Sequence, residues 1–471
     1  MAAALSSFDA VVAGAGPGGS VAAFELARSG AHVALVDKAR FPRDKACGDL
    51  VGPRGVELLG ELGIAPEGVV SLGDMAVIGP SGGRVILPAV PGLTYPGCAW
   101  ALPRKVFDDV LYRAAMEAGA VGITARVAAV EVEDGVGDGV GGAAVVHLDD
   151  GGRLRAGALI GADGATSAVA GSVGMVRADR VQWGFAVRTY IDAEVELPVI
   201  VLFDEEPGVG FPGYGWIFPG PDGQANAGVG VGAGSDRRAG ARATRYLDTF
   251  LGHLRRLGLL PSDAVAGPRL GGWLKMGMLG TSPVSGPVLL VGDAAGLVNP
   301  LQGEGIAQAM SSGRAAASAV LGVGGERDAG AVYGQWLRQH QSAYQGSTAA
   351  LQGLLLANPR MVSRLGRALT WPPIGRRLAG GWAIYWNDLV TGAAPGRSRS
   401  LARVASGAIR GATAASPSRR ELGRALGRPR PSAGPGEGLR AIVRPHADPS
   451  ARDQRVGDQL IADRRADAGE G

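Results

Sequence analysis

Apolar positions along this chain have two textures, and the change between them marks out its parts. Near the N-terminus they form short unbroken runs. Phe8-Asp9-Ala10-Val11-Val12-Ala13 and His32-Val33-Ala34-Leu35-Val36-Asp37 read as strands buried on both faces, as in a parallel sheet. Between them, residues 18–29 carry helix formers and stop at Gly30, a residue suited to a helix C-terminus. Together they make a βαβ unit. Helical spacing returns at Val56, Leu58, Leu59 and Leu62, and again from Val106 to Gly119. Residues 75–99 read as short strands broken by Gly and Pro. Residues 121–132 and 143–148 read as strands joined by the Gly-rich turn 135–142, and Ala158–Ala165 as a buried strand closing on Asp163-Gly164.

From about 181 to 274 the pattern alternates. Phe185–Tyr190, Val199–Phe203 and Asn226–Val231 have the period of antiparallel strands, and residues 240–257 read as an amphipathic helix. Unbroken apolar character resumes at Val288–Val291, followed by a long helix through Val320. Residues 331–390 read as helices with Trp336, Trp371, Trp382 and Trp386 on their faces. From about 395 Gly, Pro, Ser, Ala and Arg dominate without period, the composition of a disordered tail.

Composition adjusts this picture in three places. A chain of 471 residues exceeds what one core usually supports, so more than one structural unit is expected. The net charge of +4 is uneven: residues 396–471 hold 15 Arg against 8 acids, so the remaining body is slightly acidic. A basic tail of this kind is no nucleic-acid signal for the whole protein. Cys47 and Cys98 are the two cysteines, too few for a disulfide framework, which predicts a reducing, cytoplasmic setting. No long uncharged apolar run, leader segment, metal-ligand spacing or Gly-x-Ser-x-Gly elbow is read from the sequence.

The first βα turn carries the chemistry. Gly14-Ala15-Gly16-Pro17-Gly18-Gly19 is Gly-x-Gly-x-x-Gly between a strand and a helix. Gly14 suits the tight turn, Gly16 lets a pyrophosphate approach the backbone, and Gly19 lets helix and strand pack closely. The helix start offers free N–H groups to phosphates. Asp37, closing the second strand, is placed to accept hydrogen bonds from a ribose. This is a dinucleotide site.

Two further strand ends, Asp163-Gly164 and Val291-Gly292-Asp293-Ala294-Ala295-Gly296, complete a set that resembles the FAD-dependent oxidoreductases sharing the p-hydroxybenzoate hydroxylase fold, over roughly residues 8–390. The resemblance implies an α/β fold with a Rossmann-type FAD-binding domain of the p-hydroxybenzoate hydroxylase/glutathione reductase type. An interleaved antiparallel-sheet substrate domain and a C-terminal helical region accompany it. The FAD domain would draw on 1–74, 100–180 and 275–330, the substrate domain on 75–99 and 181–274, the helical region on 331–394 and the Arg-rich tail on 395–471. Within that group, Tyr214-Gly215-Trp216-Ile217-Phe218-Pro219, Asn226-x-Gly228, Lys45-Ala46-Cys47-Gly48 and Asn299–Ile306 are most similar to the geranylgeranyl reductase family, in its actinobacterial quinone-reducing branch.

The resemblance implies non-covalent FAD contacts at Gly14, Gly16, Gly18, Gly19, Asp37, Lys38, Cys47, Gly48, Arg104, Asp163, Gly292, Asp293, Pro300, Gly303, Gly305 and Ile306. Asp293 would hold the ribitol, and the helix opened at Gly303–Ile306 would face the flavin's pyrimidine edge. Cys47, Tyr214 and Trp216 are the expected catalytic positions, Cys47 as gate or proton donor and the aromatic pair as walls of an apolar tunnel. The implied reaction saturates an isoprenoid C=C bond of a prenyl lipid or prenylated quinone, by hydride from reduced flavin N5 and a proton. The electron donor stays open between NAD(P)H and another reduced carrier. An aromatic monooxygenase or halogenase is the alternative, weakened because halogenases carry Trp-x-Trp-x-Ile-Pro where this chain has Tyr214 and Phe218. A flavin-binding module without activity ranks last. A prenyl substrate also implies peripheral contact with the anionic inner face of the cell membrane, through 331–390 and the basic tail.

Overall fold

The computed structural model describes residues 5–80, 82–87, 98–133, 142–202, 213–234, 240–322, 328–357, 359–373 and 375. Trp382, Trp386, most of the turn 135–142 and the Arg-rich tail lie outside them.

The chain begins β1 (Leu5–Ala13), α1 (Pro17–Arg28), β2 (Val33–Asp37), β3 (Leu50–Val51), α2 (Pro53–Leu62), β4 (Val70–Leu72), β5 (Met75–Ile78), β6 (Arg84–Leu87) and β7 (Ala99–Ala101). It continues through α3 (Arg104–Glu117), β8 (Val121–Thr124), β9 (Val127–Glu133), β10 (Ala143–Leu148), β11 (Arg153–Gly161) and α4 (Ala168–Ser172). Then follow β12 (Gln182–Asp192), β13 (Val199–Leu202), β14 (Gly213–Pro219), β15 (Gln224–Gly234), α5 (Gly240–Arg256) and β16 (Leu270–Met276). The last elements are β17 (Val284–Ser285), β18 (Val288–Leu290), α6 (Gly292–Ala295), α7 (Ile306–Leu321), α8 (Ala329–His340), α9 (Ser342–Ala357) and α10 (Pro359–Thr370).

The unbroken apolar runs become the first sheet, ordered β17-β18-β11-β1-β2-β8, with β10 and β9 branching antiparallel from β11. β1 pairs in parallel with both β2 and β11. Its residues Ala10–Ala13 are wholly buried because helices cover both faces of a parallel sheet. α1 packs on α7 at unusually short range. A Cβ on Gly313 would lie 2.0 Å from the Gly18 carbonyl oxygen, so only a glycine fits there.

The alternating segments form the second sheet, β16-β12-β15-β14-β13-β5-β6. One face is covered by α5, whose Leu247, Phe250 and Leu254 pack on Val199, Val201, Ile217 and Val229. The other face presents Met75, Val77, Ile200, Trp216 and Phe218. That second face looks toward the C-terminal ends of the first sheet's strands, the crevice where open α/β sheets bind ligands. α8 and α9 return across the Val288–Gln302 region.

Candidate active site

A cavity of about 640 Å³ lies in that crevice. It runs from the start of α1 (Gly16, Pro17, Gly18) past Lys45–Gly48, Arg104 and Asp293 to the loop Pro300–Ile306. An apolar arm continues along Leu50, Ile200, Leu202, Tyr214, Trp216 and Phe218 to Pro80, Leu351, Leu355, Leu365 and Leu369.

At the phosphate-binding turn the glycines divide their roles. Gly14 has φ +101°, and a Cβ there would sit 2.4 Å from the Ala162 carbonyl oxygen. It is therefore required by the close approach of the chain leaving β1 to the chain leaving β11, and it is not among the residues lining the cavity. Gly19 is likewise consumed by packing, against the Gly14 carbonyl. Gly16 is different: a Cβ there would meet nothing nearer than Arg43 Nη2 at 3.9 Å, and the residue faces the cavity. Asp37 Oδ2 accepts from Ala15 N at 2.8 Å and Oδ1 from Ala39 N at 2.8 Å. Lys38 beside it is exposed. Asp163 does not enter the cavity lining; its Oδ2 accepts from Val169 N at 3.1 Å, so the carboxylate serves the start of α4.

The second strand end does reach the cavity. Gly292 donates its N–H to Ser312 Oγ at 3.0 Å, fixing β18 to α7. Asp293 faces Lys45, with Nζ 3.6 Å from Oδ2, and borders Gly305 at the start of α7. Asn299 Oδ1 accepts from Leu301 N at 2.7 Å and Gln302 N at 3.0 Å, shaping the loop. The C-terminal helices hold that loop from behind. Gln352 Nε2 donates to Pro300 O at 2.6 Å, Gln345 Nε2 to Leu297 O at 2.8 Å, and Asn299 pairs with Tyr344. From the front, the Tyr214 hydroxyl donates to the Gln302 carbonyl. Tyr214 is held well above its ordinary range by burial, then by Cys47 and Glu304.

Cys47 sits on a turn pinned to both sheets. Arg104, at the start of α3, is 3% exposed and forms a two-point pair with Asp108, Nε to Oδ1 and Nη2 to Oδ2, both 2.7 Å. Arg43 meets the same carboxylate. Burial opposes the charge on Asp108, but Arg104, Arg43 and Lys45 outweigh it and hold its carboxyl below the usual range. The other side of the Arg104 guanidinium faces the Cys47 sulfur. Cys47 itself lines the cavity, and burial pushes its thiol up, with Arg104 pulling against it and Asp49 adding to it. Trp216, 4% exposed, donates from Nε1 to Asn226 Oδ1 at 2.9 Å. Asn226 in turn donates to Cys47 O at 2.9 Å and Asp49 Oδ2 at 2.7 Å.

Three polar positions beside the cavity were not singled out from the sequence. Asp49, Tyr190 and Lys275 are polar groups placed among apolar neighbours, and only their convergence marks them. Tyr190 pairs directly with Asn226 across β12 and β15, so both side chains point to one face and meet Asp49 there. Lys275 on β16 is 1% exposed, and burial lowers its amine to about 8 against the attraction of Asp163 and Asp293. A lysine at a buried strand position was the available signal for it.

The donor set fits FAD. α1 and α7 both begin without a side-chain cap, at Gly16 and Gly305, and both starts border this cavity. Uncapped helix N-termini leave N–H groups free for an anion or an electron-rich ring edge. Asp293 and the open space at Gly16 lie with these helix starts along the cavity, while Asp37 stands outside its lining, its carboxylate bound to Ala15 N and Ala39 N.

Comparison with known proteins agrees with the geometry. The family model for an FAD binding domain matches residues 7–327. A menaquinone reductase of Mycolicibacterium smegmatis is 37% identical over 384 residues, covering 79% of this chain and 91% of the relative. A digeranylgeranylglycerophospholipid reductase of Methanopyrus kandleri is 32% identical, covering 72% and 86%. Among solved structures, a geranylgeranyl bacteriochlorophyll reductase-like protein of Thermoplasma acidophilum superposes with TM-score 0.64 at 22% identity, over 82% of this chain and 97% of that one. The flavin-dependent brominase Bmp2 superposes with TM-score 0.61 at 19% identity, over 86% and 100%. At these identities the structural matches speak for the fold alone.

Proposed function

From the premise that this chain belongs to the FAD-binding-domain family and is an FAD-dependent oxidoreductase, we propose that it saturates C=C bonds in the isoprenoid part of a prenyl lipid or prenylated quinone. The observation that carries this is the shape of the cavity: its cofactor end is polar and its extension, from Leu202 to Leu369, is apolar. An isolated trisubstituted alkene offers nothing to hydrogen-bond, so orientation must come from such walls. Each buried five-carbon unit contributes ~4 kcal/mol at ~0.8 kcal/mol per carbon. The relatives named for reductases of menaquinone and of digeranylgeranyl lipid support the substrate class.

Gly16–Gly18 and Asp37 would hold the pyrophosphate and adenosine side of FAD, and Asp293 with the start of α7 its flavin side. Reduced FAD supplies hydride chemistry. Tyr214 and Trp216 would wall the alkene against it, their polar atoms already engaged by Gln302 and Asn226. Cys47, a protonated thiol at neutral pH, is the candidate donor of the proton. The chain would reach its substrate at an anionic membrane surface. Leu365 and Trp371, 40% and 57% exposed, lie on or just after α10 beside the exposed Arg364 and Arg367. No helix among the described residues is long and apolar enough to cross a membrane.

Anaerobic reduction of the flavoprotein, followed by addition of a menaquinone or a geranylgeranyl lipid, tests the reading. Reoxidation with loss of one substrate double bond is expected. Reoxidation by oxygen alone, with no change in either lipid, would overturn it. Flotation with anionic liposomes tests the surface contact, which should weaken at high salt.

A further inference from the structure

Cys47 lines the cavity, and its sulfur meets Arg104, but the strongest hold on its turn is elsewhere. The clamp lies two residues on. Asp49 is 3% exposed and adopts φ +61°, a left-handed conformation uncommon outside glycine but one that aspartate adopts more readily than most residues. Three elements hold its carboxylate and its turn in place. Tyr190 Oη on β12 donates to Asp49 Oδ2 at 2.6 Å, Asn226 Nδ2 on β15 donates to the same oxygen at 2.7 Å, and Arg104 N at the start of α3 donates to Oδ1 at 3.2 Å. The Asp49 amide in turn donates to the Cys47 sulfur. Tyr190 is itself locked, its ring stacked under Arg188, whose guanidinium pairs with Asp44 at the other end of the same loop.

Resting on the reading above, we propose that Asp49 is the positioning residue for Cys47: its carboxylate clamps the Cys47–Asp49 turn to the second sheet and, where ionised, opposes Arg104 at the sulfur. The charged and titratable groups around Cys47 divide clearly. Arg104 on α3 favours a thiolate, though its partner Asp108 neutralises much of that pull. Asp49 on the loop stands on the opposing side, Tyr214 on β14 is a neutral hydroxyl whose own ionisation Cys47 disfavours, and Arg188, Lys45, Asp293 and Glu304 lie one group further out. Burial does most to keep the thiol protonated, and an Asp49 charge adds to it against Arg104. Burial likewise raises the Asp49 carboxyl above its ordinary value, and the hydrogen bonds from Tyr190 and Asn226 with the charges of Arg188 and Arg104 only partly offset that.

The test reads the thiol, not turnover. In the flavoprotein carrying Cys98→Ser, Cys47 is the single cysteine, and its alkylation by iodoacetamide is followed against pH. Asp49→Asn keeps the shape and removes the charge; the alkylation midpoint should fall by about one unit. Tyr190→Phe removes one hydrogen bond to the carboxylate and leaves it ionisable, so any fall in the midpoint should be smaller than that of Asp49→Asn. Asn226→Ala frees the turn, so alkylation at fixed pH should quicken by roughly threefold or more without moving the midpoint. An unchanged midpoint in Asp49→Asn, or an equal shift in Tyr190→Phe, would overturn the assignment. Should Asp49→Asn not fold, an unchanged rate in Asn226→Ala overturns it instead. These results stand whether or not the chain reduces a prenyl substrate, so they separate this proposal from the reading it rests on.

Discussion

Gly16→Val separates cofactor binding from folding more cleanly than any other change at the first turn. Gly16 has φ −72° and ψ −177°, extended backbone that valine adopts without strain. Its added atoms would meet no protein atom closer than 3.9 Å at Cβ, so stability should change by less than about 0.5 kcal/mol. The same atoms enter the cavity where a pyrophosphate approaches the start of α1. Losing two charge-assisted hydrogen bonds of roughly 1.5–3 kcal/mol each removes ~3–6 kcal/mol of binding. That corresponds to an approximately 10²- to 10⁴-fold weaker Kd for FAD. Titration of the apoprotein with FAD, read by flavin fluorescence and paired with thermal unfolding, gives both numbers. A variant that unfolds like the parent and binds FAD within about threefold of it would refute the assignment of this turn to the cofactor. Gly14→Val serves as the contrast: its Cβ would lie 2.4 Å from Ala162 O at positive φ, so it should fail to fold rather than merely lose flavin.

Asp293→Ala should purify folded but weaken FAD binding about tenfold or more, one charge-assisted contact, measured as flavin-to-protein ratio after dialysis. Cys47→Ala should keep flavin content near normal and depress prenyl reduction; equal turnover would make the thiol structural. Lys275→Met should be more stable than the parent at pH 7, by up to about 3 kcal/mol. The folded amine titrates at about 8, below the unfolded value of ~10.4, so at neutral pH both states carry the proton and the folded state holds it at a cost; folding expels it only between those two values. The penalty is full below pH 8 and relieved as pH rises to about 10.4. The gap between parent and variant in urea unfolding should therefore close across that window, and a constant gap would refute the burial argument.

The βαβ unit, its glycine turn and Asp37 were legible because they are local: strand period, helix formers and a turn lie within thirty residues, and short-range sterics decide them. The Gly-Asp strand end at 292–293 and the Tyr214–Pro219 strand were legible for the same reason. Which glycine faces the cavity was not, because Gly14 and Gly16 differ only in what stands opposite: the Ala162 backbone for one and open space for the other. Asp163 looked equivalent to Asp293 in sequence, yet the start of α4, at Ala168, takes up its carboxylate through the Val169 amide. The clamp on Cys47 joins residues up to 177 positions apart, Asp49 to Asn226. It exists because the β12–β15 register sets Tyr190 beside Asn226, and a shift of one residue would turn both side chains to the opposite face. Local periodicity selects the elements; long-range register and packing determine which polar side chains meet, since those contacts form only once the two sheets and α9 close around one cavity.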